Sequence, residues 1–204
     1  NHPVEQISWS DICQTNGFLD RINLLCPEGY NTFRLPTEAE WEFACRANTT
    51  SAYYWGNFLN DAYCWHSGNS INTTHAVGST LAGSNSANAF GLFDMAGNVL
   101  EWCQDNWHDN YSEAPSFGSI AWEPGSGTYA SDRVLRGGSS LYVSNLCRSA
   151  ARIRGNSGQR SNCYGFRLAL STDKLPLRVE KPFYSNSGTT FSSSLSVSIN
   201  CATD

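Results

Sequence analysis

The sequence predicts an α+β domain that is rich in loops, and three observations point to this fold class. A chain of 204 residues has the length of a single domain. Its helical and strand-like patterns are short, and long tracts of asparagine, serine and glycine separate them. Seven tryptophans are spread along the chain, and large rings of this kind anchor irregular loops.

Two segments carry the marks of short helices. The first helix is expected at about residues 10–23, because Ser8–Asp11 supplies capping hydroxyls and a carboxylate. The second helix should begin after Thr37, since Thr37 and Glu40 have the spacing of a capping box. Three residues share one face of that helix and should anchor it in the core: Trp41, Ala44 and Cys45.

The expected strands are also short. Gly97-Asn98 is a turn dipeptide, and residues 99–103 after it have the pattern of a strand. Two further strands are expected at residues 133–135 and 166–170, on either side of an irregular stretch at 136–165.

Residues 171–204 differ in composition from the rest of the chain. They hold both lysines, and residues 193–200 alternate polar and apolar side chains as a half-buried strand does. We therefore divide the chain into a domain of residues 1–170 and an appended segment of residues 171–204. Pairing of the alternating stretch with another chain would give self-assembly through this segment.

Composition and charge exclude several classes of protein. The net charge of −5 and the pI near 5.3 argue against binding to nucleic acid, which requires a basic face. No apolar run approaches the roughly 20 residues of a membrane span. Eight cysteines, an even number, suit an oxidising compartment, so we expect a secreted, extracellular or cell-surface protein. Three asparagines begin glycosylation sequons that should lie on surface loops: Asn48, Asn72 and Asn110.

Two groups of cysteine and histidine resemble fragments of zinc sites. They are Cys64 with His66, and Cys103 with His108. The spacing fits neither a zinc finger nor a catalytic zinc site, so both histidines are expected to be polar loop residues.

Two dense motifs carry a resemblance to a known family. They are Arg-Leu-Pro-Thr-Glu-Ala-Glu-Trp-Glu at residues 34–42 and Gly-Asn-Val-Leu-Glu-Trp at residues 97–102. With weaker blocks in the same order, over about residues 3–170, they resemble the formylglycine-generating enzyme (sulfatase-modifying factor) family. The resemblance implies a C-type-lectin-like fold with short antiparallel sheets, two helices and many loops. The strands with which the family usually begins are not matched in this chain.

The resemblance also implies an activity, a copper-dependent oxidase that acts on sulfatase cysteines. That chemistry requires paired thiolates, because soft sulfur selects Cu(I). In the family the pair follows a Gly-Gly-Ser motif, which here is Gly137–Ser139. Tyr142 stands at the first cysteine position, and Cys147 is the candidate for the second. A lone thiolate cannot form the site, so we expect neither copper nor enzymatic activity, and Cys147 should be buried or disulfide-bonded.

Residues 136–168 resemble more narrowly the variable proteins of diversity-generating retroelements. Their fixed skeleton is matched by five elements: Arg136–Ser139, Cys147–Ala150, Arg152, Arg160 and Gly165–Leu168. Nearly all positions between them hold residue types that arise by changing adenines in asparagine codons. The resemblance implies a binding module in which a rigid frame displays interchangeable side chains to a protein or surface ligand.

We therefore predict a binding surface formed by twelve side chains of residues 140–164. They are Ser140, Leu141, Tyr142, Val143, Asn145, Leu146, Ile153, Arg154, Asn156, Ser161, Asn162 and Tyr164. Exposed apolar patches mark interaction sites, and tyrosine is a low-entropy anchor in them. The alternative is that the apolar members belong to the core, with Tyr142 and Tyr164 the two expected to be exposed. Three skeleton arginines should pair with carboxylates or carbonyls: Arg148, Arg152 and Arg167.

The turn at residues 96–101 resembles a calcium site of the same family. The expected ligands are the carbonyls of Ala96, Gly97 and Val99 with the carboxylate of Glu101, since calcium takes about 6–8 hard oxygens. The alternative is that Glu101 pairs with an arginine. A second calcium site of the family is not expected, because other residues replace its ligands.

Three functions follow for this chain. The first is a binding module that uses residues 140–164, and the second is the copper-dependent oxidase. The third is a structural subunit of a surface assembly, in which residues 171–204 dock onto a neighbouring chain.

Overall fold

The fold is that of a computed structural model, which describes residues 1–26, 32–81, 83–125 and 127–170. The strand expected at residues 193–200, and with it self-assembly through residues 171–204, lies outside the described residues and stays a prediction. In the part of the chain that is described, no helix is both long and apolar enough to span a bilayer.

The first predicted helix is broken into two. Instead of one helix at residues 10–23, the chain forms α1 (Trp9–Cys13) and α2 (Phe18–Asn23). The break falls at Asn16 and Gly17. Asn16 has a φ of 62°, and a Cβ on Gly17 would lie 2.7 Å from a carbonyl oxygen of the preceding turn. A tight turn that requires these two residues therefore overrides the helical pattern.

Capping boxes begin α1 and α3 (Glu38–Arg46), as predicted. The Glu40 amide donates to Thr37 Oγ1 at 3.1 Å, and the Thr37 amide donates to the Glu40 carboxylate at 3.0 Å. Ser8 and Asp11 make the same reciprocal pair before α1. The predicted inner face of α3 is buried: Trp41, Ala44 and Cys45.

Within the described residues, six short strands form two sheets. They are β1 (Phe33–Arg34), β2 (Leu100–Asn106), β3 (Asp132–Arg136), β4 (Arg152–Asn156), β5 (Tyr164–Gly165) and β6 (Ala169–Leu170). The larger sheet has the order β4-β3-β2-β5, in which only β5 runs parallel to its neighbour. In the smaller sheet β1 pairs antiparallel with β6, and Phe33 lies opposite Leu170.

The predicted strands at residues 99–103 and 133–135 correspond to β2 and β3. The strand predicted at residues 166–170 is reduced to the two residues of β6. The strand β4 was not predicted. Its one fully buried position is Gly155, so no alternation of apolar side chains marks it in the sequence.

The core consists of two clusters that share the sheet. The Trp41 cluster is rich in sulfur and contains Trp41, Cys45, Tyr53, Tyr54, Cys64, Met95, Cys103 and Cys147. The Trp102 cluster contains Ile12, Leu35, Leu100, Trp102, Leu135, Cys163 and Tyr164. Because β2 supplies residues to both clusters, the sheet positions every loop discussed below.

Aromatic rings anchor the long loops against this core, as the composition predicts. Trp55 stacks between Tyr53 and Tyr63, with ring centroids 4.8 Å and 5.2 Å away. The loops also contain short 3-10 turns at Gly83–Ser86, Gly127–Tyr129 and Ser144–Cys147. The three sequon asparagines are exposed on loops: Asn48, Asn72 and Asn110.

Candidate functional site

A buried arginine fixes the loop that follows β3. Arg136 has no exposed surface, and its guanidinium donates to the carbonyl oxygens of Ser149 at 3.0 Å and Ala151 at 2.7 Å. On its other side it pairs with Glu38, 3.1 Å away, and donates to Glu42. Both carboxylates come from α3. The guanidinium of Arg136, which is planar and always charged, thus connects α3 to the residues that precede β4.

Two glycines turn the chain away from β3. Gly137 and Gly138 have φ values of 95° and 73°, which favour glycine. A Cβ on Gly138 would lie 2.8 Å from the Cys147 sulfur, and one on Gly137 would lie 3.1 Å from the Trp41 ring. The glycines therefore let the loop pass directly over the Trp41 cluster.

Ser140 belongs to this frame, so its prediction as a surface residue is wrong. Its side chain is fully buried, its amide donates to the Asn98 carbonyl at 2.9 Å, and its carbonyl accepts from Ser70 Oγ at 2.6 Å. Two residues on, the Tyr142 carbonyl accepts from the Ser67 amide at 3.0 Å. The backbone is consequently held from two sides before the first exposed side chain is reached.

Tyr164, the other tyrosine expected on the surface, is core. It is 4% exposed and packs edge-on against Trp102, with ring centroids 5.3 Å apart. Burial, and after it the nearby Tyr142 hydroxyl, raise the pKa of the Tyr164 hydroxyl. An amphipathic ring satisfies both an apolar core and a polar partner, which is why its pattern in the sequence is ambiguous.

The other ten predicted surface residues divide by exposure. Five are exposed: Val143, Asn145, Arg154, Asn156 and Asn162. Five are half-buried: Leu141, Tyr142, Leu146, Ile153 and Ser161. Leu141, Tyr142 and Ile153 pack against the Trp102 cluster, as the alternative interpretation held for the apolar members.

These residues do not form one surface. Residues 140–143 meet residues 161–164 beside β5, because Leu141 and Tyr142 pack against the Trp102 cluster, which includes Tyr164. Arg154 lies on β4, at the opposite edge of the sheet. The exposed positions on β4 are therefore separated from those beside β5.

A residue that the sequence analysis missed lies beside the same loop. Ser70, hydrogen-bonded to Ser140, precedes Ile71, which is 88% exposed and has a φ of 55°. A β-branched residue in this conformation is an outlier, and such backbone strain clusters at functional sites. We name this group of exposed and half-buried residues the β5-side surface: Ile71, Tyr142, Val143, Ser161 and Asn162. No spacing in the sequence connects Ile71 to residue 140.

The skeleton arginines pair as predicted. Arg148 donates to the Asn145 carbonyl at 2.8 Å. Arg152 donates to Glu38 at 2.8 Å and to the His108 carbonyl at 2.8 Å.

Glu101, the predicted calcium ligand, lies in an ion pair with an arginine. Its two oxygens each accept from Arg167 at 2.6 Å, and one also accepts from Trp41 Nε1 at 2.6 Å. This is the alternative that the sequence left open. The other predicted ligands are buried at the same turn: Ala96, Gly97 and Val99. Calcium binding stays a prediction, and the arginine competes for the carboxylate that it would use.

A second thiol contacts Cys147. The side chains of Cys64 and Cys147 both lie in the Trp41 cluster, and both residues are buried, with exposures of 0% and 1%. The neighbouring Cys64 thiol, together with burial, raises the pKa of the Cys147 thiol well above its usual value. The sequence does not show two cysteines next to Gly-Gly-Ser. The fold thus brings a second cysteine near Cys147, but both are enclosed in the core.

The histidines considered for zinc have other partners. His66 Nε2 lies 2.9 Å from an Asp61 oxygen, and its Nδ1 accepts from the Gly68 amide at 3.1 Å. The His108 ring stacks on Trp122, with centroids 3.7 Å apart. Over the described residues, no three His, Cys, Asp or Glu side chains are grouped closely enough to hold a metal ion.

A known family of proteins matches the whole of the described domain in sequence. The profile described as sulfatase-modifying factor enzyme 1-like domain covers residues 1–172. The chain belongs to this family. The formylglycine-generating enzyme of Mus musculus is 31% identical over an alignment of 188 residues. The alignment covers 86% of this chain and 45% of that protein. Serine/threonine-protein kinase pkn1 of Chlamydia caviae is 40% identical over 170 residues, 82% of this chain and 24% of that protein. The sulfatase-modifying-factor domain described here thus spans half or less of these relatives.

A solved structure of similar fold is Treponema denticola variable protein 1. It superposes with a TM-score of 0.65 and 28% identity, over 82% of this chain and 70% of that chain. The α+β, C-type-lectin-like fold class is therefore confirmed. The family domain occurs in proteins named as enzymes and in one named as a variable protein, so membership establishes the fold of this chain and leaves its activity open.

Proposed function

We propose that this sulfatase-modifying-factor domain is a non-enzymatic binding module, secreted or displayed at the cell surface, that engages a protein or other surface ligand through the β5-side surface. The observation that carries the proposal is the change, within four residues, from a buried residue with a fixed backbone to an exposed side chain. Ser140 is fully buried and hydrogen-bonded on both sides of its peptide, whereas Val143 is 59% exposed.

The chemistry of the β5-side surface supports this role. Ile71 and Val143 expose apolar side chains, and the ring of Tyr142 is half-buried. Apolar groups combined with a tyrosine and polar neighbours such as Asn162 are typical of recognition surfaces. Similarity to a variable protein supports the same class of function.

A fixed backbone favours binding energetically. Hydrogen bonds donated by Ser67 and Ser70, one accepted by Asn98, and the buried guanidinium of Arg136 already order the loop that carries Val143. Ligand binding therefore does not have to offset the entropic cost of ordering this loop, which is a major cost in loop-mediated recognition.

A protein and glycan array tests the proposal. The labelled chain is applied to purified extracellular proteins and cell-surface glycans, beside the double variant Ile71→Asp/Val143→Asp. We expect specific signals that fall at least about tenfold in the double variant, because two charges are then placed against an apolar contact. Phe58→Asp is the matched control, since Phe58 is 86% exposed but lies outside the β5-side surface. Absence of specific signals, or equal losses in both variants, contradicts the proposal.

The copper-dependent oxidase is the second candidate, and the Cys64–Cys147 contact is the observation that favours it. The assay incubates the chain with Cu(I), oxygen and a cysteine-containing sulfatase peptide, and measures aldehyde. Because both thiols are enclosed and the pKa of the Cys147 thiol is raised, we expect no product. Aldehyde that forms with the native chain and disappears with Cys147→Ser would replace the binding proposal with the oxidase.

A further inference from the structure

The thiols of Cys64 and Cys147 come from two loops that are distant in the sequence. Cys64 lies in the aromatic loop after Trp55, and Cys147 ends the 3-10 turn Ser144–Cys147. Both side chains lie buried in the Trp41 cluster, where the Cys64 thiol is near enough to raise the pKa of the Cys147 thiol. A Cβ on Gly138 would collide with the Cys147 sulfur at 2.8 Å, so the glycine leaves room for that sulfur where it stands.

Backbone hydrogen bonds hold the two loops together on both sides of this contact. The Ser67 amide donates to the Tyr142 carbonyl at 3.0 Å, and the Ser149 amide donates to the Ala52 carbonyl at 2.9 Å. Each of these bonds joins the loop of one thiol to the loop of the other. The fold therefore keeps the two loops, and with them the two buried thiols, close together, and a cross-link requires such proximity.

Neighbouring thiols have other partners. Cys45 donates to the Met95 carbonyl at 3.5 Å, and the Cys163 sulfur lies 3.1 Å from the Ser161 hydroxyl. Cys45 also raises the pKa of the Cys147 thiol, but the effect of Cys64 is larger. Cys64 is thus the favoured partner within the described part of the chain.

We propose that Cys64 and Cys147 form a disulfide when the protein folds in an oxidising environment that contains glutathione disulfide. One cysteine thiolate attacks glutathione disulfide, which gives a mixed disulfide and releases one glutathione thiol. The second thiolate then displaces the remaining glutathione, so that one protein S–S bond forms as two protein thiols are oxidised and one glutathione disulfide is reduced to two thiols. Because the folded cluster excludes solvent, the exchange takes place before the loops close.

The cross-link would join the aromatic loop covalently to the loop that carries Val143. Both loops support the β5-side surface, yet the disulfide is independent of any ligand. A failure of the binding proposal would therefore leave this inference standing, and the reverse also holds.

Peptide mapping tests the pair directly. The full chain is unfolded under reduction, refolded in a glutathione redox buffer, alkylated, and digested with trypsin and a glutamate-specific protease without reduction. Cleavage after Arg46 and Glu101 isolates Cys64 in residues 47–101, and tryptic cleavage isolates Cys147 in residues 137–148. We expect these two peptides to be recovered as one cross-linked species. Recovery of Cys147 as an alkylated thiol, or joined to any other cysteine, overturns the proposal.

Thermal unfolding of variants gives a second readout. The oxidised chain should melt on the order of 5–10 °C above the reduced chain, because a cross-link that closes a long loop restricts the unfolded state. Cys64→Ser should abolish the difference, whereas Cys45→Ser, also a buried cysteine of the Trp41 cluster, should keep it. A difference that survives in Cys64→Ser contradicts the pairing. If a variant does not fold, the mapping of the unchanged chain decides the question alone.

Discussion

Replacing Arg136 with methionine is expected to destabilise the domain by about 3–5 kcal/mol, because a buried ion pair that loses one partner leaves an uncompensated charge. Here the Glu38 carboxylate, which is 4% exposed, keeps Arg152 but loses the other of its two arginine partners, so its negative charge is only partly compensated. The carbonyl oxygens of Ser149 and Ala151 lose their donor at the same time. Urea unfolding at neutral pH, followed by tryptophan fluorescence, measures the change in the free energy of unfolding.

Arg46→Met is the matched control for this substitution. Arg46 pairs with the same Glu42 at 2.7 Å, but as an i,i+4 pair whose side chains are 25% and 28% exposed. Exposed pairs of this kind contribute only about 0–1 kcal/mol. Similar losses in Arg136→Met and Arg46→Met would mean that the guanidinium fork does not support the loop after β3.

Glu101→Gln is expected to have an effect of about the same size, a loss of about 3–5 kcal/mol in the free energy of unfolding. The substitution leaves the Arg167 charge in an environment where both side chains are only 6% exposed. The double variant Glu101→Gln/Arg167→Met should recover part of the loss, since it removes both charges. A double-mutant cycle from urea unfolding measures this coupling.

Glu40→Gln provides the comparison, because the Glu40–Arg34 pair is bidentate at 2.6 Å and 2.7 Å but partly exposed. It should lose no more than about 1 kcal/mol.

The same variants examine calcium. If added calcium raises the melting temperature of the native chain but not that of Glu101→Gln, then the carboxylate ligates the metal, and the ion pair is not its resting state.

Local features of the fold could be predicted from the sequence, and features that depend on distant residues could not. The capping box of Thr37 and Glu40 involves four consecutive residues, and α3 begins where it predicts. The turn at Asn16-Gly17 competes with a helical pattern of similar strength, and the close approach that decides the competition is visible only in space.

The candidate site shows the same division. Arginines and glycines identify the frame, because few other residues can replace a buried fork or a positive φ. Which of the intervening side chains point outward is not written in their types: Ser140 is buried, and Val143, three positions later, is exposed. The neighbourhood of Ile71, and the contact between Cys64 and Cys147, depend on loops whose approach has no periodic signal.

The pairing of β1 with β6 has a consequence for how the domain is made. Phe33 can meet Leu170 only after nearly all of the described chain has left the ribosome, and β2 likewise waits for β5. Such a topology has a high contact order, which slows folding to milliseconds or seconds. During synthesis β1 therefore stays without its sheet partner until β6 has been made.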